Sequence, residues 1–134
     1  MARVLGGARI THVGLAPVGT GQVADTYRLT LTYDRPTDAP PTAIAKVPAA
    51  DPTSRGAAQM TRTYEIEASF YRDLAADLPV RAPVCYHAAH DMATDHYVML
   101  LEDVAPAAQG DQMAGCSLPE IEAAVDELAL LHGP

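Results

Sequence analysis

Lys46 is the only lysine in a chain of 134 residues; every other basic charge is an arginine. It stands in Ala43-Ile44-Ala45-Lys46-Val47, an apolar run that Pro48 stops. An ammonium in such a strand is costly to bury alone, so it needs a partner, and a paired lysine can still hold an anion. An edge strand also suits it, where a lysine blunts aggregation or snorkels to water. Glu67 is the matching anomaly. Tyr64, Glu67, Tyr71, Leu74 and Leu78 recur at helical spacing down one face. A carboxylate in that stripe either meets a cation or lies at the stripe's border in water. The helix follows directly after the Lys46 strand, so packing on the same sheet would pair Lys46 with Glu67 and leave the lysine facing an anion.

Gly19-Thr20-Gly21 separates two strand-like segments. Glycines there let backbone N–H groups approach an anionic ligand closely, and they equally suit an ordinary hairpin. The segment is not a Walker A loop, since no Gly-Lys-Ser/Thr follows, nor a dinucleotide fingerprint, which needs a strand-to-helix turn. Leu100-Leu101-Glu102-Asp103-Val104 ends an apolar strand in acids. Strand termination accounts for it, and so does a connector whose backbone meets an adenine edge. Cys85, His87, His90 and His96 have no familiar zinc spacing and read as hairpin residues, so no metal ligand is assigned.

The length fits one domain and about half the residues are apolar, enough for a core without tryptophan and with a single phenylalanine, Phe70. A net charge of −8 argues against a nucleic-acid surface, which needs clustered Lys and Arg. Cys85 and Cys116 form no secreted-type framework and read as free thiols. No stretch approaches the ~20 apolar residues of a membrane span, so no membrane partner is expected and the cytoplasm is the expected location.

The elements that must position these residues follow from periodicity and punctuation. Residues 1–9 read as a lead-in and Ile10 to Leu15 as a first strand. From Val23 a second strand puts Tyr27, Leu29, Leu31 and Tyr33 on an apolar face that only Asp25 interrupts. Three prolines in Asp34 to Pro41 end it. Thr42 to Val47 is the third strand, and Asp51 to Ala58 a turn or short helix. A long helix capped by Thr61 or Thr63 runs until Pro79. Pro83 to His90 and His96 to Leu101 form a hairpin. Ser117-Leu118-Pro119-Glu120 is a capping box for a last helix with the stripe Leu118, Ile121, Val125, Leu128 and Leu131, ended by Gly133 and Pro134. The expected fold is α+β: a five-stranded antiparallel sheet with one long helix packed on it, plus a C-terminal helix.

In this order, with glycines between strands one and two, Lys on strand three, Glu on the next helix and acids after strand five, the chain resembles the N-terminal lobe of protein-kinase-like enzymes. Its details are similar to small-molecule kinases of the aminoglycoside phosphotransferase and choline/ecdysteroid kinase-like group. The carrying stretches are Ala43 to Val47, Glu67-Ala68-Ser69-Phe70-Tyr71-Arg72-Asp73-Leu74, Ala82 to Tyr86, Val98 to Val104 and Glu127-Leu128-Ala129-Leu130-Leu131-His132. The resemblance implies a lobe over residues 1–104, then a hinge loop and the first helix of a C-terminal lobe over 105–134. It implies ATP as ligand, with Gly19 and Gly21 over the phosphates, Lys46 on the α/β-phosphates, Glu67 orienting Lys46, and the backbone at Glu102 and Val104 meeting adenine. Ala24 stands where a third glycine would, and Thr26 where valine is usual. The reaction implied is phosphorylation of a small-molecule hydroxyl. The family's catalytic Asp and its metal-binding Asn and Asp belong to the C-terminal lobe, and His132-Gly133-Pro134 is not their loop. No catalytic residue is therefore assigned here, Mg²⁺ is expected only with that lobe, and the chain alone is expected to be inactive. The competing expectation is a non-catalytic interaction module whose last helix docks a second chain or another copy.

Overall fold

The computed structural model describes residues 7–19, 21–111 and 113–133. Thr20 of the glycine segment, the stop residue Pro134 and the first six residues of the lead-in lie outside them. The fold is α+β, with an open five-stranded antiparallel sheet and three helices. The strands are β1 (Ile10–Pro17), β2 (Ala24–Tyr33), β3 (Thr42–Pro48), β4 (Cys85–Asp91) and β5 (His96–Leu101), in spatial order β1-β2-β3-β5-β4. The helices are α1 (Pro52–Met60), α2 (Thr63–Asp73) and α3 (Leu118–His132). β3 is thus central. Its cross-strand pairs set Lys46 opposite Thr26 of β2 and Met99 of β5, and Ile44 opposite Arg28 and Leu101.

The core lies on one face of this sheet. Tyr97, Met99 and Leu101 of β5 and Ala24 of β2 pack with Ala58 of α1 and Tyr64 and Ala68 of α2, joined by the half-buried Ile44, Tyr71 and Ala88. Cross-strand partners share a face, so Lys46, Ile44, Thr26 and Arg28 all point to this inner side. The apolar set of β2 expected from alternation, Tyr27 to Tyr33, lies on the opposite, outer face, where no helix covers it and its members stay only partly buried. The period was legible, but which face meets the helix depends on what β5 brings alongside.

The turn or short helix expected over Asp51 to Ala58 is a helix, α1, and the long helix expected after it is α2. Asp51 caps α1 by accepting from the Ser54 amide at 2.8 Å, and Pro52 opens the helix. These hydrogen bonds hold the Asp51 carboxyl below its usual range. Thr61 is the C-cap of α1 and Thr63 the first residue of α2, so neither is the N-cap of the long helix. The N-cap of α2 is Arg62, at φ 54° with no side-chain cap, which turns the chain sharply between the helices. α2 also stops at Asp73, before the Pro79 that was expected to end it. The Leu74 and Ala75 amides both donate to the Phe70 carbonyl, and the chain leaves helical geometry. Unwinding there lets Leu78 and Val80 wall a cavity of about 350 Å³ with Tyr71 and Cys85. The expected capping box is present at Ser117 and Glu120, and Gly133 ends α3 at φ 65°.

No helix among the described residues is long and apolar enough to cross a membrane. α3 buries none of its residues; Leu118, Ile121, Val125, Leu128 and Leu131 are all exposed. The Arg81 amide reaches its Glu127 carboxylate at 3.3 Å.

Candidate functional site

Lys46 and Glu67 form an ion pair between the centre of the sheet and α2. Each side chain is about a quarter exposed (24% and 25%), so the pair is neither a buried orphan nor a solvated surface contact. This excludes the edge-strand reading of Lys46, since β3 has a partner on both sides. The second Glu67 oxygen accepts from the Tyr97 hydroxyl at 2.8 Å. Burial, and then the hydrogen bond to Glu67, push the Tyr97 phenol far above its usual value, so it stays a donor. Glu67 is thus held from two sides, with one oxygen left to the lysine.

Tyr64 locks α2 in this position. Its ring stacks on Tyr97 at 4.6 Å and 18°. Its hydroxyl accepts from the Ala49 amide at 3.2 Å and donates to the Val23 carbonyl. One side chain therefore ties the Glu67 helix to the end of the Lys46 strand and to the start of β2, just past the glycine segment. By spacing alone Tyr64 is only one member of an apolar stripe.

Beside the pair lies a groove of about 450 Å³. Gly19 and Gly21 line one end; Thr26, Arg28 and Ile44 form its sheet wall; Gln109 and Ala107 close it from the segment after β5. Lys46 itself is turned to Glu67 at the groove's border, with its cross-strand partner Thr26 and its strand neighbour Ile44 in the wall. Both glycines have a reason in the turn itself. Gly19 has φ +72°, and a Cβ there would stand 3.4 Å from Gln109 Oε1. A Cβ on Gly21 would fall 2.3 Å from the Ala24 carbonyl oxygen. Ala24, at the place of a third glycine, is 6% exposed and packs into the core.

Glu102 and Val104 do not line the groove; they belong to the stretch that carries Ala107 and Gln109 to it. The Glu102 amide donates to the Val84 carbonyl at 2.8 Å and its carboxylate accepts from the Val84 amide at 3.0 Å. A role for Glu102 toward adenine is thereby restricted to its carbonyl.

Sequence reasoning missed the contact that anchors this stretch. Arg28 makes a two-pronged ion pair with Asp103, Nε to Oδ2 at 2.7 Å and Nη2 to Oδ1 at 3.2 Å. Asp103 also accepts from the Ala105 amide at 3.2 Å. Burial would raise the Asp103 carboxyl, but hydrogen bonds from Arg28, Ala105 and Thr42 outweigh it and hold the group below its usual range. No local signal links residues 75 apart in sequence; the one hint was an arginine among the threonines of β2. A carboxyl depressed on folding stabilises the fold above its unfolded pKa, and that stability is lost as pH falls through the lower folded value. Asp103→Asn is expected to cost about 1 kcal/mol at neutral pH, because the Arg28 side stays partly solvated, and to flatten the acid limb of a urea-melt pH series. An unchanged limb would show that other carboxylates govern it.

A larger cavity, about 530 Å³, opens between α1, α2 and the β4–β5 hairpin. It holds the pairs Arg62–Glu65 and His90–Asp95, with the second Asp95 oxygen buried without a hydrogen-bond partner, and neither Lys46 nor the glycine segment lines it. Among the described residues no group of three or more His, Cys, Asp or Glu is placed to hold a metal ion. No protein-family model matches the chain, and no curated protein matches it.

Proposed function

We propose that the chain is the nucleotide-binding lobe of a phosphotransferase acting on a small-molecule hydroxyl, similar to the aminoglycoside phosphotransferase and choline/ecdysteroid kinase-like group. The observation that carries this reading is the Lys46–Glu67 pair set beside a groove with glycines at one end. In this reading Gly19 and Gly21 cover the phosphates of ATP, Lys46 holds the α/β-phosphates, and Glu67, fixed by Tyr97, orients Lys46. The Glu102 carbonyl and the Val104 amide meet the adenine. The residues fit a polyphosphate: a cation that is neutralised but still partly exposed, and a glycine turn that lines the neighbouring groove. The acid–base and metal-binding groups of phosphoryl transfer are not among these residues, so binding without turnover is expected from this chain. Calorimetric titration with Mg-ATP of the wild type and of Lys46→Ala tests it. Heat that vanishes in the variant supports the reading, and a folded wild type that takes up no nucleotide removes it.

One observation favours a second reading, a non-catalytic module that docks a partner through α3: its apolar stripe is exposed along its whole length. In that case Lys46 and Glu67 are a structural pair. Sedimentation of the wild type at high concentration is expected to show association that Leu128→Lys abolishes. A wild type that stays monomeric rules out self-association through α3.

A further inference from the structure

Arg28 lines the groove and Lys46 stands at its border, opposite Thr26 in the wall. Arg28 stands opposite Ile44 and two residues beyond Thr26, the partner of Lys46. Arg28 and Lys46 are therefore diagonal neighbours on the inner face, roughly 7–8 Å apart at the backbone. Lys46 lies toward the glycine end and Arg28 toward the segment after β5.

Asp103 grips one edge of the Arg28 guanidinium with both oxygens. That carboxylate is itself only 4% exposed, and the Ala105 amide holds it as well. A two-pronged contact to a fixed carboxylate also fixes the plane of the guanidinium. The Arg28 side chain nonetheless stays 41% exposed and lines the groove. One edge is occupied, and two-fifths of the side chain stays accessible beside the groove. A planar, weakly hydrated cation presents its face to an aromatic ring. Among the described residues that line the groove none is aromatic, and Arg28 supplies the one planar cation, with the apolar Ile44 beside it.

We propose that Arg28 is a specificity-determining residue of the groove: its guanidinium, held flat by Asp103, stacks on the nucleobase while Lys46 takes the phosphates. The proposal rests on the nucleotide reading above and adds to it a base contact that is independent of phosphate.

The test is calorimetry on the full chain with two ligands, Mg-ATP and Mg-tripolyphosphate, which has no base. Arg28→Lys is the informative variant, because it keeps the charge and can still reach Asp103 but loses the planar fork; its melting temperature checks that the fold is kept. The expected result is an Mg-ATP Kd raised about five- to ten-fold, with tripolyphosphate binding unchanged. Arg28→Lys that binds Mg-ATP like the wild type, or that weakens both ligands alike, overturns the proposal. So does a wild type that binds the two ligands equally, since the base then adds nothing. A wild type that binds neither ligand overturns the nucleotide reading itself, and this proposal with it.

Discussion

Tyr64→Ala is expected to cost about 4 kcal/mol, the upper part of the range for removing a buried aromatic side chain. The ring is 1% exposed and stacked on Tyr97, so its removal opens a cavity that the surrounding sheet and helices cannot readily fill. Its hydroxyl joins the Ala49 amide and the Val23 carbonyl, so the variant also leaves backbone groups just before β2 and just after β3 without that partner. Domains of this size are stable by about 5–15 kcal/mol, so the loss is a large fraction of the whole and lowers the melting temperature by roughly 15 °C. Urea and thermal unfolding measure it. Tyr64→Phe separates the contributions: it keeps the ring and is expected to cost only about 1–2 kcal/mol. A Tyr64→Ala cost below that of Tyr64→Phe would mean that the tyrosine does not hold α2 to the sheet.

Lys46→Ala is expected to weaken Mg-ATP binding about 100-fold, the scale of a charge-assisted hydrogen bond lost together with its ion. Two effects add. The variant loses the cation, and it leaves Glu67, a quarter exposed and fixed by Tyr97, as an unneutralised carboxylate facing an anionic ligand. Glu67→Gln is expected to cost much less, since the amide still reaches Lys46 and the repulsion is absent. The stability cost of Lys46→Ala should be modest, because both partners keep water contact. Affinity and melting temperature measured on the same samples therefore separate a ligand-holding lysine from a scaffold lysine: loss of binding with a near-native melt fits the first, an unchanged Kd with a depressed melt the second.

Much of the fold was legible in the chain. The five strands follow from short apolar or alternating runs bounded by proline and acidic residues, because a half-buried strand must alternate and a proline cannot donate to the ladder. The capping box at Ser117 was equally plain, since it needs only residues three apart. The pairing of Lys46 with Glu67 could be anticipated from two charges placed in apolar surroundings, each of which needs a counterion. The left-handed Arg62 that turns the chain between α1 and α2 could not, because arginine carries no residue-type signal for that conformation.

Chain-local physics determined the strands, the last helix and its cap, and the anomalous charges at Lys46 and Glu67. The tertiary structure decided the rest. It chose which face of β2 meets the helices, brought Tyr64 under both Val23 and Ala49, and set Arg28 against Asp103. Each of these joins segments whose contact depends on the sheet order β1-β2-β3-β5-β4. That order is settled by burying the β5 row of Tyr97, Met99 and Leu101 under α2, a collective packing free energy that no local spacing encodes.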